Sequence, residues 1–122
     1  MKILLSLATL ATVTLSLSAA SEIVNASSFG WNPTNATKCL QAAIDSGAKK
    51  VVIDRQAGDW IVEPIFLRTS GQEVVVADGV TVRALKGAFK HRNDCLFRIT
   101  GNERGVTLRG EGTATLVMNK QD

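Results

Sequence analysis

The chain has 122 residues, of which 45% are hydrophobic, 20% charged and 5% aromatic, a mix that excludes a disordered or collagen-like chain. The length suits one small domain rather than two. The net charge of +3, from 14 basic and 11 acidic residues, is weak, and tyrosine is absent, so a base-stacking nucleic-acid platform is poorly supplied.

The first twenty residues read as a targeting peptide. Met1-Lys2 gives a positive start and Ile3 to Leu17 an apolar run. Ser18-Ala19-Ala20 then places small residues before a cleavage point at Ser21. A membrane span needs about 20 strongly apolar residues, and Ser6, Thr9, Thr12, Thr14 and Ser16 dilute this run. No later segment is long and apolar enough to span. The expectation is therefore an exported protein, periplasmic or extracellular, with a mature domain over residues 21–122. Asn25-Ala26-Ser27 and Asn35-Ala36-Thr37 match the N-glycosylation pattern, which matters only in a host that glycosylates this way.

Asn32-Pro33 predicts a helix start, with Asn32 as cap and Pro33 in the first turn. The run continues to Ser46 and is stopped by Gly47. Ala36, Leu40, Ala43 and Ile44 fall on one face at helical spacing, an apolar stripe that needs something to cover.

After Gly47 the pattern changes to short strands. Val51–Ile53, Trp60–Val62, Ile65–Leu67, Val74–Val76, Val80–Val82, Leu96–Ile99, Val106–Leu108 and Ala114–Val117 are rich in β-branched and aromatic residues. No second helix separates them, so a doubly wound fold with crossover helices is disfavoured. Gly79-Val80-Thr81-Val82-Arg83 returns further along as Gly105-Val106-Thr107-Leu108-Arg109. Val74-Val75-Val76 and Leu96-Phe97-Arg98 stand a similar period apart. A period between about 20 and 50 residues is the signature of a solenoid, in which each unit is one coil of short strands. A β-sandwich, whose strands also recur between Gly-rich turns, is the competing fold.

These residues carry a resemblance. Ser28-Phe29-Gly30-Trp31-Asn32, then Ala36 and Leu40-Gln41-Ala42-Ala43-Ile44-Asp45, resemble the opening of right-handed parallel β-helix proteins of the pectate-lyase-like superfamily. Lys50-Val51-Val52-Ile53, Trp60 to Leu67 and Gly79-Val80-Thr81-Val82 follow in the order that family shows, and the likeness covers about residues 23 to 118. It implies a mainly β fold: the start of a right-handed parallel β-helix with an N-terminal capping α-helix. Two departures are visible. Asn32, Thr34 and Asn35 stand where aspartates are common, and Asp54 stands where proline is frequent. The chain reaches Lys120-Gln121-Asp122 after about two to three coils without a recognisable C-terminal cap. It therefore reads as the N-terminal portion of a longer protein.

The family's catalytic groups lie on middle coils, so none is carried over: no catalytic, cofactor-binding or metal-binding residue is assigned. The acidic candidates Asp54, Asp59, Glu63, Glu73, Asp78, Asp94, Glu103 and Glu111 are spaced about one to a strand and read as turn and surface residues. An inverting glycosidase would need two of them about 6.5–9.5 Å apart. Lys90-His91-Arg92 with Asp94 is the densest polar cluster; it reads as a solvated loop, with contact to an anionic sugar as the alternative. Trp31 and Trp60 read as plugs between helix and first strands rather than as sugar platforms. Two cysteines and one histidine, His91, lack metal-ligand spacing. Export would permit Cys39 and Cys95 to pair, but spacing alone does not give the distance a disulfide requires. The resemblance implies part of an exported carbohydrate-active protein, itself without catalysis, with a polysaccharide as partner and self-association through an uncovered end. The alternative is a non-enzymatic binding or surface-structural β-helix.

Overall fold

The computed structural model describes residues 22–99 and 101–119. The expected targeting segment and the last three residues lie outside them.

The fold is mainly β, with parallel sheets and one α-helix. Strand β1 (Ile23–Asn25) leads through a 3-10 turn (Ala26–Phe29) to helix α1 (Thr37–Asp45). Eight strands follow: β2 (Lys50–Ile53), β3 (Trp60–Val62), β4 (Ile65–Leu67), β5 (Glu73–Val76), β6 (Thr81–Ala84), β7 (Phe97–Ile99), β8 (Thr107–Gly110) and β9 (Thr115–Val117). They form three sheets: β1-β2-β5-β8, β3-β6-β9 and β4-β7, called sheets 1, 2 and 3. Every pairing among the described strands is parallel. A β-sandwich is built of antiparallel pairs, so that alternative does not describe these strands. From β2 onward the chain visits sheets 1, 2, 3, 1, 2, 3, 1 and 2 in turn. The crossover that any parallel pair requires is supplied by strands of the other two sheets.

Alternation sets the two faces of each strand. Val51 and Ile53, Trp60 and Val62, and Ile65 and Leu67 point inward and are buried. Register places the next circuit's inward residues directly above them: Val74 beside Val51, Val76 beside Ile53, Val82 beside Trp60 and Ala84 beside Val62. Cys39, Leu40, Ala43 and Ile44 of α1 join the same core. The helix stripe read from the sequence therefore covers one end of the strand stack.

Two local expectations need correction. The helix begins at Thr37, not at Asn32-Pro33. The Asn32 Oδ1 instead accepts from the Thr34 amide at 2.9 Å and its hydroxyl at 2.8 Å, closing a turn. Ala36 donates its amide to the Ile61 carbonyl at 2.7 Å, and Asn35 donates to Glu63 at 2.9 Å. These bonds tie residues 35 and 36 to the β3–β4 corner, and the helix starts only beyond them. Its other end is as read: Gly47 takes φ +84°.

The echo of Gly79–Arg83 in Gly105–Arg109 does not mark the stacking period. Its copies feed β6 in sheet 2 and β8 in sheet 1, which do not pair. The Val74–Val76 and Leu96–Arg98 segments likewise fall in sheets 1 and 3. The true neighbours are Lys50, Glu73 and Thr107, so the circuit from Glu73 to Thr107 is longer than the one from Lys50 to Glu73. The extra length lies in one corner: residues 85–96 separate β6 from β7, whereas only Glu63 and Pro64 separate β3 from β4. Strand β1 has no counterpart in the sequence reading; its three residues pair with Lys50, Val51 and Val52.

Candidate functional site

Among the described residues the eight carboxylates do not gather into one cluster; each is engaged where it stands, and only Glu73 and Glu111 share a partner, Arg109. Asp54 accepts from the Ser27 amide at 2.9 Å, from the Ser27 hydroxyl and from Gln56 at 2.9 Å, which fixes the 3-10 turn to the end of β2. Asp59 pairs with Arg83 at 3.0 Å. Glu63 receives Asn35, and its amide donates to the Thr37 hydroxyl at 2.8 Å. Glu73 takes Arg109 and Lys50, and Glu111 takes Arg109 at 3.2 Å. Asp78 accepts from the Thr113 amide at 2.9 Å and hydroxyl at 3.1 Å. Glu103 accepts from the Gly101 amide at 2.8 Å. Asp94 accepts the His91 amide at 3.0 Å and returns its own amide to the His91 carbonyl at 3.0 Å.

Two of these groups titrate away from their ordinary values. The hydrogen bond from Arg109, helped by its charge and that of Lys50, holds the Glu73 carboxyl low. The two bonds from Thr113 do the same for Asp78, with Arg55 adding positive charge. Both groups bridge successive circuits, since Glu73 lies on β5 and Arg109 on β8, and Asp78 and Thr113 sit in successive β5–β6 and β8–β9 corners. Their chemistry is structural.

Trp60 is fully buried and donates its indole N–H to the Asp54 carbonyl at 2.9 Å. Trp31 is half-buried against the core, its ring facing Gly58. Cys39 and Cys95 are both free thiols. Cys39 is buried and donates to the Ala26 carbonyl, while Cys95 is half-buried and donates to the Phe97 carbonyl at 3.3 Å. Among the described residues, no group of three or more His, Cys, Asp or Glu is arranged to hold a metal ion, and no helix is long and apolar enough to cross a membrane.

What remains is cationic. The β6–β7 segment is anchored by buried Phe89 and Leu96. Its start is tied down by the Leu85 amide on the Val62 carbonyl at 2.8 Å, and its end by the Ile65 amide on the Leu96 carbonyl at 2.8 Å. It therefore sits over the short Glu63-Pro64 corner. Lys86, just before the first anchor, and Lys90, His91 and Arg92, between the two, are exposed, and Asp94 is turned back on its own loop. The loop runs directly into β7, whose Arg98 faces outward between inward Phe97 and Ile99. Register sets Arg98 beside Phe66, which faces outward from β4 between buried Ile65 and Leu67. Arg68 lies over the Phe66 ring, 5.5 Å from its centre, and reaches Asp45 at 3.9 Å. Among the described residues Arg98 has no acidic partner. An aromatic ring under one guanidinium, with a second arginine as its register neighbour and a lysine- and arginine-bearing loop leading into that strand, offers cations for charge-assisted hydrogen bonds to an anionic ligand.

The sequence pattern singles out Lys90-His91-Arg92 but not Phe66, Arg68 or Arg98. The usable signal is the alternation of Ile65-Phe66-Leu67 and Phe97-Arg98-Ile99, each a polar or aromatic residue set between two inward ones. No family model matches the chain, and neither curated proteins nor solved structures give a match.

Proposed function

We propose that the chain is an exported glycan-binding module, built as a helix-capped parallel β-helix of the pectate-lyase-like type, that holds an acidic polysaccharide without cleaving it. The architecture is supported by the cyclic order of the three parallel sheets and by α1 closing one end of the stack. The likeness of residues 28–45 to the opening of that superfamily points the same way. The observation that carries the function is the contrast between charges. The carboxylates are spent on turns and circuit-to-circuit bonds, whereas Lys86, Lys90 and Arg92 stand exposed on the loop that leads into β7, where Arg98 stands exposed beside Phe66.

The test is affinity electrophoresis of the purified protein in gels containing polygalacturonate or a neutral galactan. Retardation by the acidic polymer alone, weakened by added salt and by Arg98→Glu, is the expected result. Equal migration in both gels would remove the proposal. Assay of the same samples for new reducing ends or unsaturated products separates binding from cleavage; turnover abolished by changing His91, Arg92 or Asp94 would convert the module into an enzyme.

A further inference from the structure

Helix α1 carries two charged residues, and each stands at the end where the helix dipole disfavours it: Lys38 in the first turn and Asp45 at the last position. Asp45 is nevertheless fixed in place. Gln41, one turn earlier, donates its Nε2 to the Asp45 Oδ1 at 3.2 Å and to the Phe66 carbonyl at 2.9 Å. The carboxylate is thereby held beside β4. Its Oδ2 lies 3.9 Å from the guanidinium of Arg68, which covers the outward ring of Phe66.

That separation is short enough for Coulomb attraction and too long for a hydrogen bond. The Arg83–Asp59 pair on sheet 2 differs: there the guanidinium bonds its carboxylate at 3.0 Å. Arg68 is thus kept near an acid that does not take up its N–H groups. A guanidinium presents those groups as a planar fork that fits a carboxylate. Both side chains remain in reach of a solute, Arg68 at 52% and Asp45 at 40% exposure. A carboxylate arriving over Phe66 therefore meets a donor fork and one resident competitor.

We propose that Asp45 is an internal counter-ion of the binding face: it pairs with Arg68 in the free protein, and a carboxylate of the acidic polysaccharide takes its place in the complex. The proposal rests on the glycan reading of the Phe66 face and assigns two residues within it. Arg68 contacts the ligand, and Asp45 competes for Arg68 and lowers the affinity. One ion pair is exchanged for another, so the net gain at this contact is small. A repulsive group beside an attractive one is a common way to set how strongly a site holds its ligand. It also accounts for an acid retained at the end of α1 that the dipole disfavours.

Affinity electrophoresis in gels of graded polygalacturonate content, with mobilities referred to a polymer-free gel, gives a Kd for each variant. Asp45→Asn keeps an acceptor for Gln41 and removes the charge; it should bind about two- to fivefold more tightly than wild type. Arg68→Gln should bind more weakly, and adding Asp45→Asn to it should bring no gain, because the competitor acts through Arg68. Asp59→Asn makes the same change in net charge and releases Arg83 on sheet 2; it should bind as wild type does. An unchanged far-ultraviolet spectrum in each variant separates lost binding from a lost fold. Asp45→Asn binding no more tightly than wild type would overturn the proposal. So would a gain that survives in Arg68→Gln or that Asp59→Asn reproduces, since net charge alone would then explain it. Wild-type retardation with no gain in Asp45→Asn leaves the glycan reading standing and removes only the counter-ion. Retardation of Asp45→Asn alone supports the counter-ion, and retardation of neither protein removes both.

Discussion

Gln41 and Phe66 meet as two strands would. The Gln41 Oε1 accepts the Phe66 amide at 2.9 Å, and its Nε2 donates to the Phe66 carbonyl at 2.9 Å. A helix has no free backbone groups along its side, so it cannot extend a sheet by itself. One side-chain amide supplies the donor and acceptor that the edge of β4 lacks. The residue that blunts this edge is placed by helical spacing one position beyond Leu40, which is buried in the core.

Gln41→Ala should cost about 1–3 kcal/mol, because two edge groups lose their partners in a half-buried place. Gln41→Glu keeps the acceptor but sets a carboxylate oxygen against the Phe66 carbonyl and the Asp45 carboxylate, so its cost should match or exceed that of Gln41→Ala near neutral pH. Urea unfolding of the three proteins gives the order directly. Equal stability would show that water replaces the amide freely.

Leu40 and Ile44 are fully buried, and Lys38 on the same helix is exposed. Leu40→Asp or Ile44→Asp should destabilise by about 3 kcal/mol or more, since each puts an unpaired carboxylate into the core. Lys38→Asp should change stability by about half a kcal/mol or less. Thermal melts that moved equally for all three would place the helix stripe in water.

Acid should weaken the contacts between circuits. Glu73 and Asp78 are held below their ordinary pKa values, so the unfolded chain takes up protons at a pH where the folded chain does not. Their contribution is complete above the ordinary carboxyl range of roughly pH 4 and is lost as pH falls through the lower folded values. Asp78→Asn retains an acceptor for Thr113 without the titration. Its Tm should therefore fall less steeply than that of wild type between about pH 5 and 2. Parallel curves would show that Asp78 does not couple to the fold. The Glu73–Arg109 pair is exposed, so added salt should reduce its share.

Gly110 is glycine for reasons of space. A Cβ built there would lie 2.9 Å from the Cβ of Ala114. Gly110→Ala should destabilise by about 1–3 kcal/mol through overpacking. Ala114→Gly in the same chain should recover part of that loss, a coupling that a double-mutant cycle measures. Strict additivity would mean the two side chains do not meet.

The two thiols should separate in rate. Burial, followed by the nearby Asp54 charge, raises the pKa of Cys39, whereas Cys95 is only half-buried. A thiol reagent at pH 8 should modify Cys95 in the native protein and Cys39 only as the chain unfolds. Simultaneous modification would place Cys39 at the surface.

Much of the architecture is legible in the sequence because it rests on local alternation. Ile65-Phe66-Leu67 or Trp60-Ile61-Val62 can be read as a strand with two inward residues, and Gly47 ends a helix whatever lies beside it. The helix start is not legible, because Asn32-Pro33 is a good local signal that tertiary bonds at Asn35 and Ala36 override. The echo at Gly79 and Gly105 misleads for a related reason. Both glycines adopt positive φ in a turn before a strand, so the repeated string marks a kind of corner and says nothing of which strands stack. The basic face depends on Phe66 standing beside Arg98, one full circuit further along the chain. Alternation alone does not give that register once the long loop at 85–96 has been inserted between β6 and β7.

The unequal circuits, Lys50 to Glu73 and Glu73 to Thr107, have a consequence for how this molecule tolerates change. Hydrogen bonds lock each strand to its neighbour residue by residue, and a slip of one would turn every inward side chain to solvent. Length therefore cannot enter along the sheets; it enters at corners. The corner after β6 already accommodates residues 85–96 where the one below it holds only Glu63 and Pro64, and Phe89 and Leu96 are its two anchors. Between those anchors the chain is a graft point. Segments of other lengths and charges can be exchanged there without disturbing an interior column, while the scaffold keeps its sequence.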